Sequence, residues 1–258
     1  MNTERERAGE ALPGGHAELR GDWHVHSQFS DDAVSTLAEN IRAAHDAGLH
    51  ELRLIDHVRV ATRWVPEFVA AVAAERVPDG LVIHTGVEAK ILDAAGTLDV
   101  PEDLVVGPGG VEAIVIADHQ FPGPDGPWTP DRARAELAAG LTPSAAAEML
   151  VEAMIGAMHR APAAQLAHPF SILPKMGLHE DDLSDDLLAR WAGEAASTGT
   201  LIEVNEKWAC PGARVVLAAR AAGARVVAST DSHVSTDVGR YRRVVEILDA
   251  AAEGRGSP

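Results

Sequence analysis

Short apolar runs of four to seven residues alternate along this chain with longer segments whose apolar residues recur at helical spacing. The first run ends near His24, and a helix is expected from about Thr36 to Ala47, closed by Gly48. The pattern then gives a strand at Glu51–Ile55, a helix at Pro66–Glu75, and strands at Leu81–Thr85 and Val111–Ala117. Residues 120–130, rich in Pro and Gly, read as an irregular loop. The longest helical pattern spans Ser144 to about His159, with Thr142-Pro143 as cap and first turn. A strand at Ala164–Ala167, a helix at Asp185–Thr198 and a strand at Leu201–Val204 follow. Helix Ala213–Ala222, strand Arg225–Ala228 and a closing helix near Tyr241–Ala252 complete the series. Strands alternating with helices imply parallel βα units.

The ends of the runs carry the chemistry. His24-Val25-His26 places two imidazoles on one side of a strand, because side chains alternate with period two. Asp56-His57, Glu88, Asp118-His119, His168, Glu203 (or Asn205) and Asp231 with His233 close the other runs in the same way. Seven runs have no reason to end alike unless their ends converge, as strand C-termini do in closed α/β barrels. The expected architecture is therefore α/β: a distorted, TIM-barrel-like (β/α)7 barrel with a metal site at the C-terminal ends of its strands. The other histidines, His16, His45, His50, His84, His159 and His179, lie outside such contexts and read as core or surface residues.

Composition narrows the picture. The 258 residues suit one domain, expected over residues 20–252, with a flexible segment at 1–19 and a disordered tail at 253–258. With aromatics at 4%, the core must be built from Ala, Val, Leu and Ile. No membrane-length apolar run or signal-peptide pattern is visible, and the one cysteine, Cys210, fits a structural role in a reducing, cytoplasmic setting. A net charge of −17 disfavours nucleic acid as a partner, since phosphate backbones are gripped by clustered Lys and Arg. Nothing in the sequence sets an oligomeric state.

Taken together, Asp22-Trp23-His24-Val25-His26, Ser30-Asp31-Asp32-Ala33, Ile55-Asp56-His57, Gly86-Val87-Glu88, Asp118-His119, Ala167-His168-Pro169, Ile202-Glu203-Val204-Asn205 and Ser229-Thr230-Asp231-Ser232-His233 resemble the PHP (polymerase and histidinol phosphatase) family of metal-dependent phosphoesterases. The resemblance covers roughly residues 20–235 and implies two or three divalent ions, zinc, manganese or iron. It implies that His24, His26, Glu88 and Asp231 hold the first ion. Glu88 would bridge to a second ion completed by His119 and His168, and Asp32, His57 and His233 would hold the third. Histidinol phosphatase-like members often carry His where Asp32 stands, and Asp31 is the alternative ligand. Asp56 and Asp118, facing away from their neighbouring histidines, read as partners that orient ligands.

The expected activity is hydrolysis of a small phosphorylated metabolite, a phosphomonoester, by a hydroxide that the ions generate. Glu88, Asp231 and His233 are the expected catalytic residues, His233 being a candidate proton donor. Lys90, Lys207, Arg59 and Arg63, each just beyond a ligand motif, are the expected substrate cations. Lys175 is a weaker candidate. Trp64, Trp128 and Trp208 should rim the barrel mouth. Two alternatives stand beside this reading: a phosphodiesterase or exonuclease on nucleotides or short oligonucleotides, and a non-catalytic metal-binding regulatory module. The second should lack part of the ligand set, which is complete here.

Overall fold

A computed structural model describes residues 15–254; most of the two terminal segments expected to be flexible or disordered lies outside the described residues. The chain enters through a 3-10 turn, Ala17–Arg20, whose Leu19 is buried, so the boundary expected at residue 19 falls inside this turn.

Seven strands form one parallel sheet: β1 (Gly21–Val25), β2 (Glu51–His57), β3 (Val82–Lys90), β4 (Ala113–Ala117), β7 (Ala164–Ala167), β8 (Leu201–Asn205) and β9 (Val226–Ser229). They pair in that order. The last strand returns to the first through a bridge between Val25 and Ser232, where His26 N–H donates to the Ser232 carbonyl at 2.9 Å. The sheet is thus a nearly closed, distorted (β/α)7 barrel. Around it run α1 (Leu37–Asp46), α2 (Val65–Ala74), α3 (Pro130–Ala138), α4 (Pro143–Arg160), α5 (Ile172–Lys175), α6 (Asp185–Thr198), α7 (Ala213–Ala222) and α8 (Arg243–Glu253). No described helix is long and apolar enough to cross a membrane.

Local signals explain most of these elements. Thr36 and Glu39 form a reciprocal capping box at the start of α1, and Thr142 caps α4 through the Ala145 N–H. Gly199 and Gly223 end α6 and α7 in the left-handed conformation that only glycine adopts cheaply. The main core lies between strands and helices, where Leu52, Leu54, Ile114, Ile116, Ile202 and Val204 meet the helices' apolar faces. A separate apolar cluster of Ile55, Val115, Ala117 and Ala167 occupies part of the barrel's interior. Gly86 on β3 makes room for it, since a Cβ there would lie 2.8 Å from Ile55 Cγ2.

Residues 120–130 are not an irregular loop. Phe121–Gly123 (β5) and Gly126–Trp128 (β6) pair as an antiparallel hairpin, with Phe121 opposite Trp128. The two rings stack at 5.5 Å, and the Trp128 indole N–H donates to Asp125 at 2.6 Å. Burial of this aromatic pair overrides the turn-rich composition. The sequence pattern also missed α3, which buries only Ala133 and so carries almost no apolar stripe.

Candidate metal centre

The barrel's strand ends bring the nine expected donors to one place. From β1 and the residue beyond it, His24 and His26 project together, with Nε2 atoms 3.0 Å apart. Glu88 Oε2 lies 3.6 Å and 3.5 Å from those two nitrogens, and Asp231 Oδ1 lies 3.7 Å and 3.4 Å from them. Donors bonded at about 2.0–2.2 Å to one tetrahedral ion sit roughly 3.4 Å from each other, so these spacings fit a common metal. The other Glu88 oxygen faces His119 Nε2 at 3.0 Å and His168 Nε2 at 3.3 Å. Asp32 Oδ2 faces His57 Nε2 at 3.4 Å and His233 Nε2 at 3.2 Å. Asp31 stays on the cavity wall.

Glu88 supplies the clearest test of fit. Its Oε2 is buried and accepts no hydrogen bond, although His57 Nδ1 stands only 2.8 Å away, badly aligned to donate. A buried carboxylate oxygen without a donor is costly unless a cation serves it. The donors are imidazole and carboxylate only, a set suited to zinc, manganese or iron.

The electrostatics agree. Burial opposes ionisation of Glu88, yet the surrounding imidazoles, His119 and His24 foremost, hold its carboxyl well below the usual range. Burial likewise opposes charge on Asp231, and His24 and His26 hold it low. Burial pushes His26 down to about 4. For His24 burial works the same way, but Glu203, Glu88 and Asp231 raise it well above its ordinary value. His168 is also buried, and Asp118 and Glu88 bring it up to about 10. Bound metal would displace the extra protons on these rings.

A layer of partners orients the candidate ligands. Glu203 Oε2 accepts from His24 Nδ1 at 2.9 Å, which directs His24 Nε2 at the centre. Glu203 in turn accepts from Gln165 (2.7 Å), Asn205 (2.6 Å) and the His168 backbone (3.2 Å). Gln165 accepts from Arg53 at 2.6 Å, so a polar chain runs up through the barrel interior. In the sequence Glu203 is only a strand-end acid, and this chain of contacts is not visible there. The one signal for it was Gln165, a polar residue inside the apolar run Ala164–Ala167. Asp118 accepts from Ser171 Oγ at 2.7 Å, beside His168 Nδ1, and Asp56 accepts from Ser27 N and Oγ at 2.9 and 2.6 Å. Both carboxylates serve neighbours. His168 (φ 31°) and Asp231 (φ 53°) take left-handed backbone conformations, a strain found typically at working sites.

Above the donors opens a cavity of about 410 Å³, lined by Lys90, Lys207, Arg59, Trp208 and His119. Lys207 Nζ sits 3.5 Å from Asp231 and 3.3 Å from His233 Nδ1, and Lys90 donates to Gln120 at 3.1 Å. Arg63 is not brought here; its guanidinium donates to the carbonyls of Val60 and Thr62 in its own loop. Of the three tryptophans expected at the mouth only Trp208 lines the cavity, donating to Asp231 at 2.8 Å, with Lys175 3.9 Å above its ring. Trp64 packs on Phe29 and Phe68, and Trp128 on Phe121. Cys210 is buried, and burial pushes its thiol well up, which removes it from nucleophile chemistry.

Comparison with known proteins adds three findings. A family model described as PHP domain matches residues 22–207. A probable phosphatase of Thermoanaerobacter sp. (strain X514) is 24% identical over 89% of this chain and 85% of its own length. One from Acetivibrio thermocellus is 26% identical over 88% and 85%. Among solved structures, histidinol phosphate phosphatase from Lactococcus lactis, crystallised with zinc, L-histidinol and phosphate, superposes with a TM-score of 0.59 at 15% identity, covering 92% of this chain and 94% of that one.

Proposed function

The chain belongs to the PHP domain family, and from that premise we propose that it is a metal-dependent phosphatase hydrolysing the phosphomonoester of a small metabolite. The observation that carries this reading is the grouping of nine histidine and carboxylate side chains, Glu88 among them, beneath a cavity with Lys90, Lys207 and Arg59 on its wall. Relatives named as probable phosphatases, and a similar fold solved with zinc and phosphate, support it. A net charge of −17 favours a metabolite over a nucleic-acid strand.

His24, His26, Glu88 and Asp231 would hold one ion, Glu88, His119 and His168 a second, and Asp32, His57 and His233 a third. Bound there, divalent ions would supply an ionised water as nucleophile and offset the charge that gathers on the phosphoryl oxygens. The chain's own residues do the rest. Lys207 and Arg59 orient the ester's non-bridging oxygens, as cations do in phosphoryl transfer. Lys90, fixed by Gln120, adds a third ammonium or guanidinium to the cavity wall. His233 serves as a holder of the third ion, its Nδ1 donating to the Asp231 carbonyl at 2.9 Å so that Nε2 faces Asp32.

The test is release of phosphate from a panel of phosphorylated metabolites, before and after chelation and reloading with zinc, manganese or iron. Activity should vanish with chelation and return with metal. Turnover that survives complete metal removal, verified by elemental analysis, would overturn the reading.

A further inference from the structure

A second cavity, of about 530 Å³, adjoins the first; Lys207, Asp231 and His233 line both. Its outer wall is Arg240, Arg242 and Arg243, three arginines within four residues of a chain that carries 39 acids against 22 Lys and Arg. The segment is anchored rather than loose. The hydroxyl of Tyr241 donates to the Gly21 carbonyl at 2.7 Å. Arg243 donates to the Lys207 carbonyl at 2.9 Å, tying the segment to the loop that bears Lys207.

The acids nearby leave these cations available. Glu206 is engaged by the Arg242 and Val244 N–H groups at 2.9 and 3.0 Å, filling the anion position at the start of α8. Asp231 is turned to the metal donors and Trp208. Asp237 lies on the wall too; with Lys207 at the first centre and Arg243 on backbone carbonyls, Arg240 and Arg242 are the two cations that face it. Among the described residues the Arg242 guanidinium meets only Glu246, at 3.3 Å, an exposed pair of the kind that contributes little. Arg240 has no ion-pair partner among the described residues. A guanidinium so placed takes a phosphate or carboxylate in bidentate fashion.

We propose that this basic lobe binds a second anionic group of the substrate, so that the ester cleaved at the metal centre belongs to a small molecule carrying a further phosphate or carboxylate. The inference rests on the phosphatase reading for its first anchor, and its own evidence is the lobe. A substrate with an uncharged leaving group would leave Arg240 and Arg242 without an anion beside the reaction centre. A doubly anionic one meets charge at both ends.

The test is calorimetric and needs no turnover. Propyl- to hexylphosphonates, their ω-carboxy analogues and the matching bisphosphonates are titrated into the full-length, metal-loaded protein. The best two-anion probe should bind at least about tenfold tighter than its methyl-ended partner, the effect of one good charge-assisted contact. That ratio should fall to about one in the Arg240→Ala/Arg242→Ala double variant. It should survive in part in the Arg→Lys pair, which keeps charge and folding, and be unchanged in Arg160→Ala on α4. Whether the carboxylate or the phosphonate series binds better identifies the second group. A ratio near one for the parent at every length, or one that outlasts the double alanine variant, overturns the proposal. Preference without phosphate release from any ester would sink the phosphatase reading and leave the lobe standing; release without preference would do the reverse.

Discussion

The donor cluster has a deep half and a rim half, built on different terms. In the deep half, His24 and His26 are fully buried, with Glu88 and Asp231 nearly so. Each ring's second nitrogen has a partner: Glu203 Oε2 for His24, and Ser30 Oγ at 3.2 Å for His26. At the rim, the Asp32 side chain is 53% exposed and His57 28%, and Asp32 meets only the two imidazoles it faces. Two aspartates register the contrast. Burial pushes Asp22, beneath the deep half, up to about 6 against the pull of its hydrogen bonds. Asp32, only partly buried, is lowered by His57 and His233. A site whose first donors are preset by the barrel and whose last donors stand on an exposed loop should hold its ions unequally. The deep half is structure; the rim half is adjustable.

The strongest way to break this contrast is Glu88→Ala, which removes the one residue facing all three sets. Phosphate release should fall by about 10³-fold or more, since the metals' stabilisation of transition-state charge is worth several kcal/mol. Elemental analysis should show loss of more than one ion; retention of the full complement would contradict the bridging role.

The deep half also makes a pH prediction. Asp22 accepts from Thr230 N, Thr230 Oγ1 and Gly239 N at 2.9, 2.6 and 3.0 Å, fastening β1 to the segment that carries Asp231. Its folded pKa is raised, so its contribution to stability is fully present below the unfolded value and is lost as pH rises through about 6. Over that window the stability of the parent relative to Asp22→Asn should decline by roughly 3 kcal/mol, from a shift of about two units. Denaturant unfolding of metal-free protein at pH 4 and pH 7 measures it; a parent–variant difference independent of pH would refute the assignment.

Glu203→Gln keeps shape but no longer compels His24 Nδ1 to carry the proton. Loss of such an orienting partner typically lowers metal affinity or activity about 10–100-fold. Metal affinity by competition with a chromogenic chelator reads the effect directly, and imidazole nitrogen NMR should show a change of tautomer that a merely structural role would not produce. Asp32→Ala should have the smallest effect, about tenfold or less in turnover, with the loss of one ion and the others retained. If Asp32→Ala proved as damaging as Glu88→Ala, the division into deep and rim halves would fail.

Much of this was legible in the chain. His24 and His26 share a face because of strand periodicity alone, and the recurrence of His, Asp or Glu at seven run ends predicted both barrel and cluster. The hairpin at 121–128 was hidden, because its stability lies in a Phe121–Trp128 stack that turn-rich composition obscures. Arg63 and Trp64 were indistinguishable from Arg59 and Trp208 by sequence position, and only packing sorted them.

The donor types, their spacing along each strand and the alternation that points them one way are written in the chain. These are local properties, set by the backbone geometry of a few neighbouring residues. The tertiary structure alone decided which distant residues complete them. Glu203 reaches His24 across 179 positions, and the arginines at 240–243 reach the Lys207 loop only because α8 folds back against the barrel. Such pairings follow from closure of the sheet, which no single segment encodes.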